Sequence, residues 1–171
     1  MEFTFETIYD RKATTAMAKG LRKTVRKKHS RRSHFFGWIV IILGLLLSWP
    51  SDAGIEKKNV VTWIVIAILL LVTVFEDQLN GWLARKRMLP GSAHAKATFT
   101  EEGYRSETGA GNTDWNYEAI SALAETNDYF IFLFGQNHAQ VYDKRTMTGG
   151  TPEEFRAFLQ EKTGKDITTL K

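Results

Sequence analysis

Two stretches of this chain, residues 35–49 (FFGWIVIILGLLLSW) and 60–75 (VVTWIVIAILLLVTVF), contain no charged residue and have no polar face. As helices they measure about 22–24 Å at 1.5 Å per residue, against a hydrocarbon core of about 30 Å. Ser33, His34 and Asn59 extend them, and Arg32, Lys57 and Lys58 can snorkel to the surface. Trp38, Trp49 and Trp63 fall near the block ends, where interfacial aromatics belong. As core helices of a soluble protein, both would need covering on all sides, and the rest of a 171-residue chain cannot do that and also build its own core. A signal peptide fits poorly, because the first block lacks a small-residue cleavage site and a second block follows it. The expectation is a two-helix transmembrane hairpin, with residues 50–59 as an extracytoplasmic loop turned by Pro50, Ser51, Asp52 and Gly54.

Charge sets the direction of that hairpin. Residues 1–34 carry 10 Lys and Arg against 3 Asp and Glu. Lys19, Arg22, Lys23, Arg26, Lys27, Lys28, Arg31 and Arg32 precede the first block, and Arg85, Lys86 and Arg87 follow the second. The loop between them has Lys57 and Lys58 alone. The positive-inside rule then places both termini in the cytoplasm of a two-span protein. The chain has no Cys, which excludes disulfides, thiolate metal sites and a cysteine nucleophile.

Residues 10–34 read as a basic amphipathic helix. Asp10 is the N-cap, and Ala13, Ala16, Met17, Leu21, Thr24 and Val25 form a narrow stripe. Past the second block, residues 76–90 continue a helical period through Leu79, Trp82, Leu83 and Met88, up to Pro90-Gly91. The two stripes are expected to pack as a short antiparallel stalk. The basic face has three readings: topology and solvation, contact with anionic lipid through the eight basic residues from Lys19 to Arg32, and nucleic-acid binding. The last is set aside, since the arm lacks interleaved aromatics and any groove-reading motif.

Residues 95–164 form the tail domain. Short alternating runs at 96–100, 104–108, 113–117, 119–126, 129–134 and 139–142 read as strands. Turns are expected at Glu102-Gly103, 109–112, Asn127-Asp128 and 135–137, with Gly or Asn at positive φ. The run 129–134 (YFIFLF) is apolar on both faces and needs a cover. Thr151-Pro152-Glu153-Glu154 opens a helix with a capping box, Phe155, Phe158 and Leu159 give it one apolar face, and Gly164 ends it. Residues 1–9 alternate through Phe3, Phe5 and Thr7 as a strand that satisfies its backbone by joining the tail sheet.

Six strands, a donated N-terminal strand and a closing helix resemble a pleckstrin-homology-like (PH-like) module. FTFETIYDRKATTAMAKGLRK, ATFTEEGYRSETG, DWNYEAISALAETNDYFIFLF and VYDKRTMTGGTPEEFRAFLQEK resemble the YcxB-like family of small bacterial membrane proteins. Trp115, Asp128-Tyr129 and Lys144-Arg145 carry the likeness, with Asp143 standing where the family usually reads Pro. The resemblance implies the bacterial cytoplasmic membrane and a PH-like domain, and brings no activity with it. The fold class expected is thus an α+β membrane protein, a transmembrane hairpin inserted into a PH-like β-sheet domain with a C-terminal helix.

No catalytic, metal or cofactor site stands out. None of His29, His34, His94 and His138 has a metal-ligating neighbour at helical spacing. Gly109-Ala110-Gly111 precedes no helix and reads as a hairpin turn rather than a phosphate loop. Neither apolar block holds an ionisable side chain, which argues against an ion pathway. Gly44 and Ser48 face either the sister helix or a second copy of the chain. Lys144 and Arg145 are either a partner contact or a solvated turn. From residue 97 on, 7 basic residues face 12 acidic ones, which disfavours a phosphoinositide pocket there and leaves an exposed edge for a protein partner. The functional expectation is a non-catalytic protein-binding or regulatory membrane protein. The alternatives are an anionic-lipid sensor or an accessory subunit of a membrane enzyme or transporter.

Overall fold

The computed structural model describes residues 2–49 and 57–170, so the turn expected at Pro50, Ser51, Asp52 and Gly54 lies outside the described residues. The architecture is α+β, with two sheets and five α-helices among the described residues. The first sheet holds β1 (Phe3–Ile8), β2 (His94–Phe99), β3 (Tyr104–Thr108) and β4 (Gly111–Trp115), all antiparallel and in that order. β1 lies against β2 with Phe3 opposite Phe99 and Ile8 opposite His94. The second sheet runs β7 (Ala139–Asp143), β6 (Tyr129–Leu133), β5 (Ala122–Glu125) and β8 (Ile167–Thr169). The expected single run of six strands is therefore two sheets. The stretch 119–126 forms a strand only from Ala122, after a 3₁₀ turn at Tyr117–Ala119.

All the helices but one lie between β1 and β2: α1 (Arg11–Lys23), α2 (Lys27–Leu47), α3 (Lys57–Val74) and α4 (Glu76–Lys86). The fifth, α5 (Pro152–Thr163), closes the tail. Its start matches the sequence pattern. Thr151 Oγ1 accepts from the Glu154 N–H at 3.2 Å, and the Thr151 N–H donates to Glu154 Oε2 at 2.7 Å. Gly164, at φ 64°, ends the helix. Asp10 caps α1, its carboxylate accepting from the Ala13 N–H at 2.7 Å.

Two cores share the second sheet. Phe3, Phe5, Phe99, Phe130, Phe132 and Phe155 fill the space between the sheets and α5. Phe5 is sealed from solvent and meets the rings of Phe99 and Phe155 at 5.6 and 4.7 Å. Tilted pairs of this kind add about 0.5–1.5 kcal/mol each beyond burial. Tyr129, Ile131 and Leu133, from alternate positions of β6, point the other way, onto Ala13, Ala16 and Leu21 of α1. Both faces of β6 are covered, the face of Phe130 and Phe132 by Phe155 of α5 and the first sheet. The second cover is α1, whose narrow stripe is a contact face against the sheet. The fit is close, since a Cβ at Gly20 would stand 2.8 Å from Ile131 Cγ2.

The helices also differ from expectation in where they break and what they face. The predicted helix over 10–34 is interrupted after Lys23. The Arg26 N–H bonds Leu21 O at 2.9 Å, the chain turns, and α2 begins at Lys27. α4 meets α1 through Gly81, where a Cβ would lie 2.7 Å from the Thr15 backbone nitrogen. The stripe of Leu79, Trp82 and Leu83 expected at that contact is instead exposed. Backbones approach closely only where a side chain is missing, so the glycine sets the face. Of the four expected turns, positive φ occurs at Gly111 and Gly135, and no described Asn adopts it.

α2 and α3 pack on each other. Gly44 faces Ile66, and Ser48 Oγ accepts from Trp63 Nε1 at 2.9 Å while donating to Gly44 O at 2.6 Å. The small pair Gly44 and Ser48 thus serves the hairpin itself. Ile41 and Ile66 are buried between the helices, while Leu46, Val61 and Leu71 are more than 45% exposed. Both helices are long and apolar enough to cross a membrane.

Candidate functional site

At the foot of the hairpin, where α1 ends, α2 begins and α4 passes, lies a cavity of about 730 Å³. Arg22 and Leu21 come from α1, Arg26 from the turn, His29, Ser30 and Ser33 from the first turns of α2, and Glu76, Asn80 and Arg87 from α4 and its end. Asn137 and His138, from the turn between β6 and β7, close the remaining side. Three stretches distant in sequence meet here because α1 is sandwiched between the second sheet and α4.

Side chains at the rim are fixed by hydrogen bonds. Arg22 Nε and Nη2 donate to the two Asp77 carboxylate oxygens, both at 2.6 Å, and Glu76 Oε2 stands 3.6 Å from Arg22 Nε. The bonded Asp77 carboxylate raises the Arg22 guanidinium further above its already high ordinary value. Arg26 Nε donates to Gln136 O at 2.5 Å, and Nη2 to Asn137 Oδ1 at 2.7 Å. His34 Nε2 lies 2.6 Å from Glu76 Oε2. His138 stacks on Trp115 with ring centroids 5.7 Å apart, and partial burial pulls it below its ordinary value of 6.5.

Of the basic arm residues singled out from sequence, Arg22 and Arg26 line this cavity. Lys19 sits half-buried on α1. Lys23, Lys27, Lys28, Arg31 and Arg32 project outward, with no ion pair among the described residues. Arg87, His29 and Asn137 complete the site and were not singled out. Arg87 was read as a topology signal alone, and nothing local marks Asn137.

Lys144 and Arg145 are engaged within the fold. Lys144 Nζ donates to Glu125 Oε2 at 2.8 Å and to Thr126 O at 2.7 Å, and lies 4.5 Å from the Phe130 ring centroid. Arg156 grips the same carboxylate at 3.2 and 3.0 Å. Burial pushes the Glu125 carboxyl up, but the bonds from Arg156 and Lys144 outweigh it, and the group ends below its ordinary value of 4.5. Arg145 folds back on Asp143, Nε to Oδ1 at 2.9 Å and Nη2 to Oδ2 at 2.5 Å. Asp143 also accepts from the Arg145 N–H at 2.9 Å and so starts the 3₁₀ turn Lys144–Thr146. The Lys-Arg pair therefore braces the sheet against α5 and the turn, with Arg145 still partly exposed.

The hydroxyls of Tyr104 and Tyr142 both donate to Gln140 Oε1, at 2.9 and 2.5 Å, and burial holds both phenols well above 10.0. Trp115 Nε1 is the one buried side-chain polar atom without a partner among the described residues. No group of three His, Asp or Glu able to hold a metal occurs among them.

No curated protein and no solved structure matches this chain. Residues 99–159, from the end of β2 through most of α5, match a family model, and the family is the one the sequence motifs resemble, described as YcxB-like protein.

Proposed function

We propose that this is an integral membrane protein whose α2–α3 hairpin anchors a PH-like cytosolic module, and that the module binds a partner rather than catalysing a reaction. The observation that carries this reading is the apolar surface of the hairpin. Leu46 and Leu71 are 65% and 57% exposed, on helices that bury little but Ile41 and Ile66 against each other. In water such a surface would drive aggregation; in lipid it is the natural exterior. The basic residues at the foot of the hairpin favour the cytoplasmic side for both termini.

Binding is favoured over chemistry because the polar groups of the module are spent on one another. Glu125 is shared by Lys144 and Arg156, Asp143 holds Arg145, and the core phenols share Gln140. The strand β4 ends its sheet with four of its five residues exposed, an edge open to an added strand from a protein partner. The exposed cations Lys23, Lys27, Lys28, Arg31 and Arg32 favour a second reading, attraction to an anionic leaflet at about 1 kcal/mol per residue.

Alkaline extraction of membranes from cells making the full chain tests the anchor: the protein stays in the pellet, and its release into the supernatant would overturn the reading. A reporter fused after Lys171 should report the cytoplasm. In vivo crosslinking from position 113 of β4 should trap a protein partner that crosslinking from an exposed position on α5 does not.

A further inference from the structure

The cavity at the foot of the hairpin has a composition that topology does not require. It brings three arginines, Arg22, Arg26 and Arg87, around one hollow with a single carboxylate, that of Glu76. That carboxylate is already faced by Arg22 at 3.6 Å and by His34 at 2.6 Å. A guanidinium has five N–H donors. The bonds to Asp77 and to the Gln136–Asn137 turn use two each on Arg22 and Arg26, holding the planes while the remaining donors stay available. Arg87 has no ion pair among the described residues. Held guanidiniums with spare N–H edges suit phosphate oxygens, which accept several charge-assisted hydrogen bonds at once.

Its depth fits as well, and here the argument rests on the membrane reading above. Ser33, Ser30 and Arg26 stand two, five and nine residues before Phe35, the first residue of the uncharged block. Along a helix that is about 3, 8 and 14 Å. The headgroup layer on each side of the hydrocarbon core is about 5–8 Å thick. With Ser33 and His34 extending the span, the hollow begins at the edge of the hydrocarbon core and reaches through the headgroup layer. Leu21, Leu83 and Met88 give it an apolar wall beside the arginines.

We propose that this cavity binds a phosphate-bearing headgroup, with Arg26 and Arg87 contacting the phosphate oxygens and the Arg22–Asp77 pair fixing one wall. The site differs from diffuse attraction to a charged surface, because it uses particular arginines and leaves Arg31 and Arg32 outside.

The test uses the full-length chain. Flotation with phosphatidylcholine vesicles after an alkaline wash is measured first; failure there removes the membrane reading but not the cavity. The chain in neutral detergent micelles is then titrated with phosphatidylglycerol and, separately, with inorganic phosphate, following bound ligand by native mass spectrometry. Arg87→Gln should weaken binding about tenfold or more, the worth of a lost charge-assisted bond. The Arg31→Gln/Arg32→Gln double variant should stay within about threefold, since exposed charges in water are worth little. Arg26→Gln should behave like Arg87→Gln, and a melting temperature unchanged in Arg87→Gln guards against misfolding. An effect of Arg87→Gln on phosphatidylglycerol alone assigns the site to lipid, and an effect on inorganic phosphate as well assigns it to soluble phosphate compounds. Equal weakening by Arg87→Gln and by the double variant, or no effect of Arg87→Gln on either probe, overturns the proposal.

Discussion

In the β module, Phe5, Phe99 and Phe132 are wholly sealed; in the hairpin, Leu46, Leu47 and Leu71 are more than half exposed. The same kind of side chain is handled in opposite ways. The module has two sheets, α5 and α1 to supply neighbours, so its rings meet each other at 4.5–6.3 Å. The hairpin has only a sister helix, which covers one stripe of each span. What the protein interior does for the first set, acyl chains are proposed to do for the second. Between them, at the foot of the hairpin, Arg22 pairs with Asp77 and His34 meets Glu76, while Arg87 and the outward cations have no ion pair among the described residues.

The largest test of the contrast falls on the module. Phe5→Ala opens a hole among four rings and should cost about 3–5 kcal/mol of stability, read from denaturant unfolding of the solubilised chain. Two isoleucines of similar exposure then separate lipid from water. Ile68 on α3 is 53% exposed and Ile8 on β1 is 59% exposed. Ile68→Arg should disfavour membrane insertion by about 2.5–3.5 kcal/mol in a translocation assay. Ile8→Arg should change stability by less than about 0.5 kcal/mol. Similar outcomes for the two would erase the proposed difference between the regions.

The boundary gives smaller effects. Arg22→Met strands the Asp77 carboxylate, only 13% exposed, and should cost about 2 kcal/mol. Arg22→Met combined with Asp77→Leu should recover part of that loss in a double-mutant cycle. The mildest effect is pH-dependent. The Glu125 carboxyl sits below its ordinary 4.5 when folded, so its contribution is complete above pH 4.5 and fades as pH falls through the folded value. The melting temperature of the native chain should therefore drop more steeply below pH 4.5 than that of Glu125→Gln. The difference should not exceed about 1.4 kcal/mol per pH unit.

Local patterns in the sequence identify most elements. The alternation of Phe3, Phe5 and Thr7 marks β1, and Thr151 with Glu154 marks the start of α5. β8 is invisible because three residues carry no period, and it forms only because β5 offers an unpaired edge to Ile167–Thr169. The role of α1 is hidden for a related reason. Ala13, Ala16 and Gly20 look too small to make a core face, yet their smallness lets the helix backbone settle onto Ile131. Arg22, Arg87 and Asn137 lie far apart along the chain, and no local pattern joins them.

What the sequence determines alone is where charge is forbidden and where strands and caps begin, since these depend on neighbours within a few residues. Which carboxylate holds Arg22, what covers the second face of β6, and why Lys144 turns inward to Glu125 were decided by tertiary structure. Pairing between distant side chains depends on which backbones approach closely, and that is set by packing across the whole domain.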